Sequence, residues 1–137
     1  MSNVGRLSAF GVVLFGSAIL LSVPSQAIEL TGAWTTQSDL CKLLFTKKGD
    51  QIAFTDLSDF YGSGFIINGK QIKAKAAQCT IESRTQDGNN IRLASSCATG
   101  IMTSSVVFNL TVIDDNNISR IIPEVPGMSM NYTRCTL

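Results

Sequence analysis

The chain has 137 residues, with 11 basic and 10 acidic side chains and no histidine. A charge close to zero without a basic cluster argues against a nucleic-acid partner, which needs Lys and Arg to neutralise phosphates. The lack of histidine excludes Ser-His-Asp and Cys-His catalysis and the usual zinc hydrolase sites. We therefore expect a non-enzymatic protein with no cofactor and no metal.

Residues 1–27 have the pattern of a secretory signal peptide. A short n-region with Arg6 precedes an apolar run over residues 9–23, and the small residues Ser25 and Ala27 occupy the positions that a signal peptidase reads. A membrane anchor is the alternative, but the apolar run is shorter than the span of about 20 residues that crosses a bilayer. We predict cleavage after Ala27.

Residues 28–137 are predicted to form a single domain. Their ten basic and ten acidic residues balance, and all four cysteines of the chain lie in this part. An even number of cysteines in a small exported domain predicts two disulfides. Zinc binding is the alternative, but no two cysteines are two to four residues apart. We expect a periplasmic or secreted protein with no stable membrane insertion after cleavage.

Strand patterns then follow one another along the chain. “CKLLFTK” and “QIAFTDL” flank a turn at “KGD”, and “GFIIN” and “KQIKAKA” meet at Asn68-Gly69, a pair suited to a tight hairpin. The alternation of apolar and polar residues slips by one near Ala76-Ala77, which predicts a bend or bulge. “IRLASSC”, “SSVVFNLTVI”, “ISRII” and “MSMNYTRC” complete eight or nine strands. We predict an all-β fold: a small antiparallel up-and-down barrel of about eight strands with two disulfides, with a β-sandwich as the alternative.

The disulfide pairing follows from one turn. If residues 87–89 form a three-residue hairpin loop, Cys79 lies directly opposite Cys97. Cys41 and Cys135 then form the second disulfide, between the first part of the barrel and its last strand. The alternation of the last strand places Cys135 on the wrong face, so this bridge requires a bulge or a strand end there.

Two patterns that could carry chemistry have simpler explanations. “GFIINGKQ” has the spacing of a phosphate-binding loop, but Gln71 replaces the Ser or Thr that holds magnesium, and the segment favours a hairpin. The acid pairs Asp56 with Asp59 and Asp114 with Asp115 could in principle hydrolyse a glycosidic bond, yet ordinary turn composition accounts for both.

The most suggestive loop is “DFYGSGF”. Two aromatic residues and two glycines give it apolar surface and close backbone approach. At the mouth of a barrel such a loop can contact a ligand or a partner, and aromatic packing that closes the barrel end is the alternative. The candidate contact residues are Asp59, Phe60, Tyr61, Gly62 and Gly64.

“LTGAW” resembles the Gly-x-Trp signature on the first strand of lipocalins and related calycin barrels. It is also similar to the start of the small bacterial metalloprotease inhibitors that share this architecture. The matching residues are Gly32 and Trp34. The resemblance implies that Trp34 has a structural role and packs at the closed end of the barrel, beneath a basic side chain from a late strand, for which Arg134 is the candidate.

These features predict an exported binding or interaction protein. Its partner would be an unknown small apolar ligand or another protein; the alternative function is inhibition of an exported hydrolase, a protease or a lysozyme. A filled barrel with a rigid exposed loop, “DFYGSGF” or “PEVPG”, would favour the inhibitor. A roomy interior would favour the ligand-binding protein, and the residues expected to line it are Phe45, Phe54, Phe65, Phe108 and Leu110.

Overall fold

The structure, a computed structural model, describes residues 11, 16, 18–22, 26–61 and 64–137. Most of the predicted signal peptide, including Ser25 of its cleavage site, lies outside the described residues. Within the described ranges, no helix is both long enough and apolar enough to cross a bilayer.

Eight antiparallel strands close into a barrel, as predicted, and the fold is therefore not the alternative β-sandwich. Each barrel strand pairs with the next one along the chain, and the first pairs with the last, so the barrel is of the up-and-down type. The barrel strands are β1 (Gly32–Thr35), β4 (Gly64–Asn68), β5 (Gln71–Ala74), β6 (Gln78–Asp87), β7 (Asn90–Ala98), β8 (Thr103–Asp114), β9 (Asn117–Ile121) and β10 (Ser129–Arg134). The strands β2 (Phe45–Lys48) and β3 (Gln51–Phe54) form a separate hairpin.

Alternating apolar residues along the strands line the interior of the barrel. In β7, for example, Ile91 and Leu93 are buried while Arg92 between them is exposed. Each large apolar side chain removed from water contributes about 1.5–3 kcal/mol. The buried interior residues are Leu30, Trp34, Ile67, Ile72, Cys79, Ile91, Leu93, Cys97, Leu110, Val112, Ile118 and Tyr132.

The chain between β1 and β4 forms an insertion (residues 36–61) that packs outside the barrel wall. It contains a 3-10 turn (Ser38–Leu40), the helices α1 (Cys41–Leu44) and α2 (Ser58–Tyr61), and the β2–β3 hairpin. The prediction that “CKLLFTK” and “QIAFTDL” are barrel strands is therefore wrong. The outward faces of β1 and β4 are themselves apolar, and the insertion covers them. The resulting outer cluster consists of the buried residues Ala33, Cys41, Leu44, Phe45, Ile66 and Cys135.

Both disulfides form as predicted, Cys79–Cys97 within the β6–β7 hairpin and Cys41–Cys135 between α1 and the chain just after β10. Cys135 follows the last residue of β10, so the expected strand end is present. In the chain-entropy model, loops closed over 18 and 94 residues stabilise the fold by about 3 and about 5 kcal/mol.

The pairing of Cys79 with Cys97 was predicted correctly, although the predicted length of the β6–β7 turn was wrong. Asp87 pairs with Asn90, so the loop has two residues rather than three and shifts the register by one. A β-bulge between Ile81 and Ser83 shifts it back, and the two cysteines end up opposite each other.

The turns on either side of β5 agree with expectation. “GFIINGKQ” is a hairpin, as predicted, with Asn68 paired to Gln71. The expected bend near Ala76-Ala77 is present and forms the connection between β5 and β6, closed by a hydrogen bond from the Ala74 N–H to the Ala77 carbonyl at 2.9 Å.

Candidate functional site

One end of the barrel is closed by the chain that precedes β1. The Trp34 side chain is fully buried there, and its indole N–H donates to the Leu30 carbonyl at 2.9 Å. Leu30 is itself buried in the interior cluster. The Ile28 N–H donates to the side-chain oxygen of Gln86 near the β6–β7 turn, at 3.2 Å. The segment before β1 therefore lies across the closed end, where hydrogen bonds join it to Trp34 and to Gln86.

Arg134 completes this closure. Its guanidinium carbon lies 4.3 Å from the centroid of the Trp34 ring, a cation–π contact worth about 0.5–2 kcal/mol. The same guanidinium donates to the carbonyls of Thr31, Glu29 and Asp115. Burial lowers the pKa of Arg134, and the charges of Glu29 and Asp115 oppose that shift. This is the position that the lipocalin resemblance implies for the two residues.

Gly32 makes room for this arrangement. Its φ is +148°, and a Cβ added there would lie 2.9 Å from Nη1 of Arg134. A larger residue would therefore strain the backbone and push the guanidinium away from the indole. Gly32 of the “GAW” motif is thus needed for Arg134 to stack on Trp34, the last residue of the motif.

The opposite end of the barrel is open and contains a cavity of about 500 Å³. This size lies within the range of about 300–1,000 Å³ that is usual for small-molecule sites. Apolar residues of six strands make up most of its wall, with a disulfide at one side. The lining consists of Gly64, Phe65, Ile67, Ile72, Ala74, Lys75, Ala76, Ala77, Cys79, Leu93, Cys97, Thr99, Ser104, Val106, Phe108, Leu110, Arg120 and Tyr132.

Three of the five residues expected to line the interior do so: Phe65, Phe108 and Leu110. Phe45 and Phe54 do not, because they belong to the outer cluster, where their ring centroids are 5.3 Å apart. Gly64 of β4 lies between the interior cluster and the outer cluster. A Cβ on Gly64 would lie 2.7 Å from the Phe45 ring, so only glycine lets Phe45 pack there.

Two polar side chains that face the interior each carry a buried atom with no hydrogen-bond partner among the described residues. Arg120 lines the cavity, with its guanidinium carbon 4.7 Å from the centroid of the Phe108 ring. Its Nε is buried, and no described residue accepts a hydrogen bond from it. The hydroxyl of Ser95, which is 3% exposed, is likewise without a partner among the described residues. Buried polar groups in proteins are nearly always paired, so both atoms call for an explanation.

Two described residues of the predicted contact loop, Asp59 and Gly64, lie next to this cavity. Asp59 in α2 forms an ion pair with Lys75, a lining residue, at 2.6 Å. Both side chains are exposed, so the pair contributes less than about 1 kcal/mol. Phe60 and Tyr61 belong to α2, Gly62 lies outside the described residues, and Gly64 begins β4 and lines the cavity.

Asp59 and Asp114, one from each acid pair, make structural contacts. Asp59 faces Lys75, and Asp114 accepts hydrogen bonds from the Asn116 N–H at 2.8 Å and from the Asn117 side chain at 2.9 Å. These bonds lower the pKa of Asp114, as expected for a carboxylate that caps a turn. In the described part of the chain, no three or more Cys, Asp or Glu side chains converge as metal ligands do.

Sequence reasoning missed Arg120, although a signal was present. In “ISRII”, Ile118 and Arg120 are two residues apart and so lie on the same face of the strand. Ile118 is fully buried in the interior cluster. An arginine at an inward position of a small barrel is unusual, because charged residues are seldom buried without a partner.

No family model, no curated protein and no solved structure matches the chain. The residues around the cavity must therefore carry the functional argument.

Proposed function

We propose that the chain is an exported, non-enzymatic binding protein that holds a small, mostly apolar ligand in the open end of its barrel. The observation that carries this proposal is the cavity of about 500 Å³ with apolar walls. A site of this kind binds by removing apolar ligand surface from water, at about 25 cal/mol for each Å² buried.

Two features support the exported location within the proposal. Residues 1–27 have the signal-peptide pattern, and two disulfides are typical of an oxidising compartment. The proposed kinship with lipocalin-like barrels is supported by the stack of Arg134 on Trp34 at the closed end. Because fold does not determine function, the proposal depends on the cavity and not on the kinship.

The test uses an uncharged apolar dye, N-phenylnaphthylamine, whose fluorescence rises in apolar surroundings. Residues 28–137 should bind the dye with a saturable increase in fluorescence. Val106 lines the cavity, so Val106→Trp should fill part of it and weaken dye binding about tenfold or more. Arg92→Trp, on the exposed outer face of β7, serves as the control and should bind like the wild type. Absence of saturable binding to the wild type would overturn the proposal.

Inhibition of an exported hydrolase remains a second candidate, favoured by exposed apolar loops at the open end. Ile101 is 94% exposed in a turn held by a hydrogen bond from the Thr99 N–H to the Met102 carbonyl at 2.9 Å. In the “PEVPG” loop Val125 is half-exposed, and its carbonyl accepts from the Met128 N–H at 3.0 Å. Exposed apolar side chains on loops of this kind can pack into a protein partner's cleft.

A panel of secreted proteases and lysozymes tests this second candidate. An inhibitor should reduce the rate of one class at a stoichiometric concentration, and Ile101→Ser should relieve that inhibition while leaving dye binding unchanged. Loss of inhibition with Val106→Trp instead would assign the effect to the cavity. Full hydrolase activity throughout the panel would leave ligand binding as the single supported function.

A further inference from the structure

Arg120 points into the cavity from a defined place in the sheet. It lies opposite Leu110 of β8 and Met130 of β10, and it shares its face of β9 with the fully buried Ile118. Leu110 also lines the cavity, and Met130 packs against the interior cluster. Arg120 therefore has apolar neighbours on its own strand and on both neighbouring strands.

No carboxylate in the described part of the chain forms an ion pair with the Arg120 guanidinium. The ion pair among the described residues joins Lys75 to Asp59, and no described carboxylate pairs with Arg120. Its specific contact is with the face of the Phe108 ring, and its buried Nε has no acceptor. An anion that enters the cavity can accept a hydrogen bond from this Nε–H and offset the positive charge of Arg120.

Ser95 provides a second unpaired polar group on the interior side of β7. It lies between Leu93 and Cys97, which both line the cavity and are buried like it. Ser95 does not itself line the cavity, so its hydroxyl contributes to the polarity of the interior and not to direct ligand contact. Both unpaired atoms thus belong to side chains that face the interior, and the surrounding wall is apolar.

We propose that the ligand is amphipathic: an apolar chain with a single small anionic head group, a carboxylate, that pairs with Arg120 inside the cavity. The planar guanidinium fork matches the two oxygens of a carboxylate. The apolar wall, from Phe65 to Leu110, then receives the hydrocarbon part. This inference rests on the proposed function and specifies the ligand class of the same site.

The experiment compares dodecanoate with dodecanol at pH 7 by isothermal titration calorimetry, below the solubility limit of each. The two probes share a chain and differ in the charged head. Because hydrogen bonds to charged groups are stronger than neutral ones, we expect dodecanoate to bind the wild type about tenfold to hundredfold more tightly than dodecanol. Equal affinities for the two probes would overturn the inference while leaving the proposed apolar site intact.

Variants assign the preference to one residue. Arg120→Met should lose most of the preference for dodecanoate and bind dodecanol at least as well as the wild type. Arg120→Lys keeps the charge without the fork and should retain part of the preference. Arg92→Met removes an exposed arginine from the outer face of β7 and should change neither affinity. If Arg120→Met kept the full preference, the inference would be wrong.

Failure of the inference is distinguishable from failure of the proposed function. If neither probe binds and the uncharged dye also fails to bind, the cavity is not a ligand site and both proposals fall. If the dye and dodecanol bind while dodecanoate shows no advantage, only the assignment of Arg120 falls.

Discussion

Two arginines face aromatic rings at opposite ends of this barrel, and their surroundings differ. Arg134 stacks on Trp34 at the closed end and donates to three backbone carbonyls. Arg120 stacks on Phe108 in the open cavity, and its buried Nε has no acceptor among the described residues. The two contacts are similar in geometry, with ring distances of 4.3 and 4.7 Å.

This difference indicates that Arg134 stabilises the fold and that Arg120 is available to bind a ligand. A buried donor without an acceptor costs about 1–3 kcal/mol, and more when it is charged. The closed end avoids this cost because carbonyls of the chain converge on Arg134. At the open end the cost remains, and a ligand with an acceptor would remove it. The predictions below test this contrast.

Truncation of an aromatic residue should cost more at the closed end than at the open end. Trp34→Ala should lower the free energy of unfolding by about 3–5 kcal/mol, because a fully buried side chain leaves a cavity that its neighbours cannot fill. Phe108→Ala only enlarges an existing cavity, and we expect less than half of that loss. Urea denaturation followed by circular dichroism measures both, and equal losses would contradict the contrast.

Removal of the satisfied arginine should destabilise the protein. Arg134→Met loses the cation–π contact and the hydrogen bonds to carbonyls, and we expect unfolding to become easier by about 2 kcal/mol. Arg134→Lys keeps a charge near Glu29 and Asp115 and should lose less. The same denaturation assay applies. A neutral effect of Arg134→Met would show that the stack and its hydrogen bonds contribute little.

The closed end should also weaken in acid. Hydrogen bonds from the side chain and N–H of Thr31 lower the pKa of Glu29 below its ordinary value of 4.5, and the charge of Arg134 adds to the effect. A carboxylate with a lowered pKa stabilises the fold above pH 4.5, and that contribution is lost as the pH falls through the lowered value.

Glu29→Gln isolates this contribution. Because Glu29 is exposed, the difference between wild type and variant should be less than about 1 kcal/mol at pH 7. It should shrink toward zero as the pH falls below 4.5, since Asp114 titrates alike in both proteins. A difference that is constant between pH 7 and pH 3 would contradict the assignment.

The sequence was sufficient for the barrel and its disulfides because alternation and turn chemistry are local signals. Alternation predicted the strands, and the cysteine pairing was correct because a bulge after Ile81, which was not foreseen, offsets the error in the length of the turn near Gly88. The insertion was missed because alternation cannot tell whether a hairpin joins the barrel or covers its outside. Phe45 was therefore assigned to the wrong cluster.

The cavity and its arginine could not be derived in the same way. Whether a barrel is hollow depends on how side chains from different strands meet, and small residues at one end, such as Gly64 and Ala77, leave space that no single strand reveals. The inward position of Arg120 was readable from its spacing to Ile118. Its lack of an acceptor depends on residues far away in the chain.

The most direct test of the contrast is the free energy of unfolding of Arg120→Met without ligand, measured against the wild type. Replacing a half-buried guanidinium whose Nε has no acceptor among the described residues with an apolar side chain of similar length should stabilise the protein by about 1 kcal/mol. That sign is opposite to the one expected for Arg134→Met. If Arg120→Met instead destabilised the protein by about 2 kcal/mol, as at the closed end, Arg120 would be a structural residue and the open end would have no unpaired cation to offer a ligand.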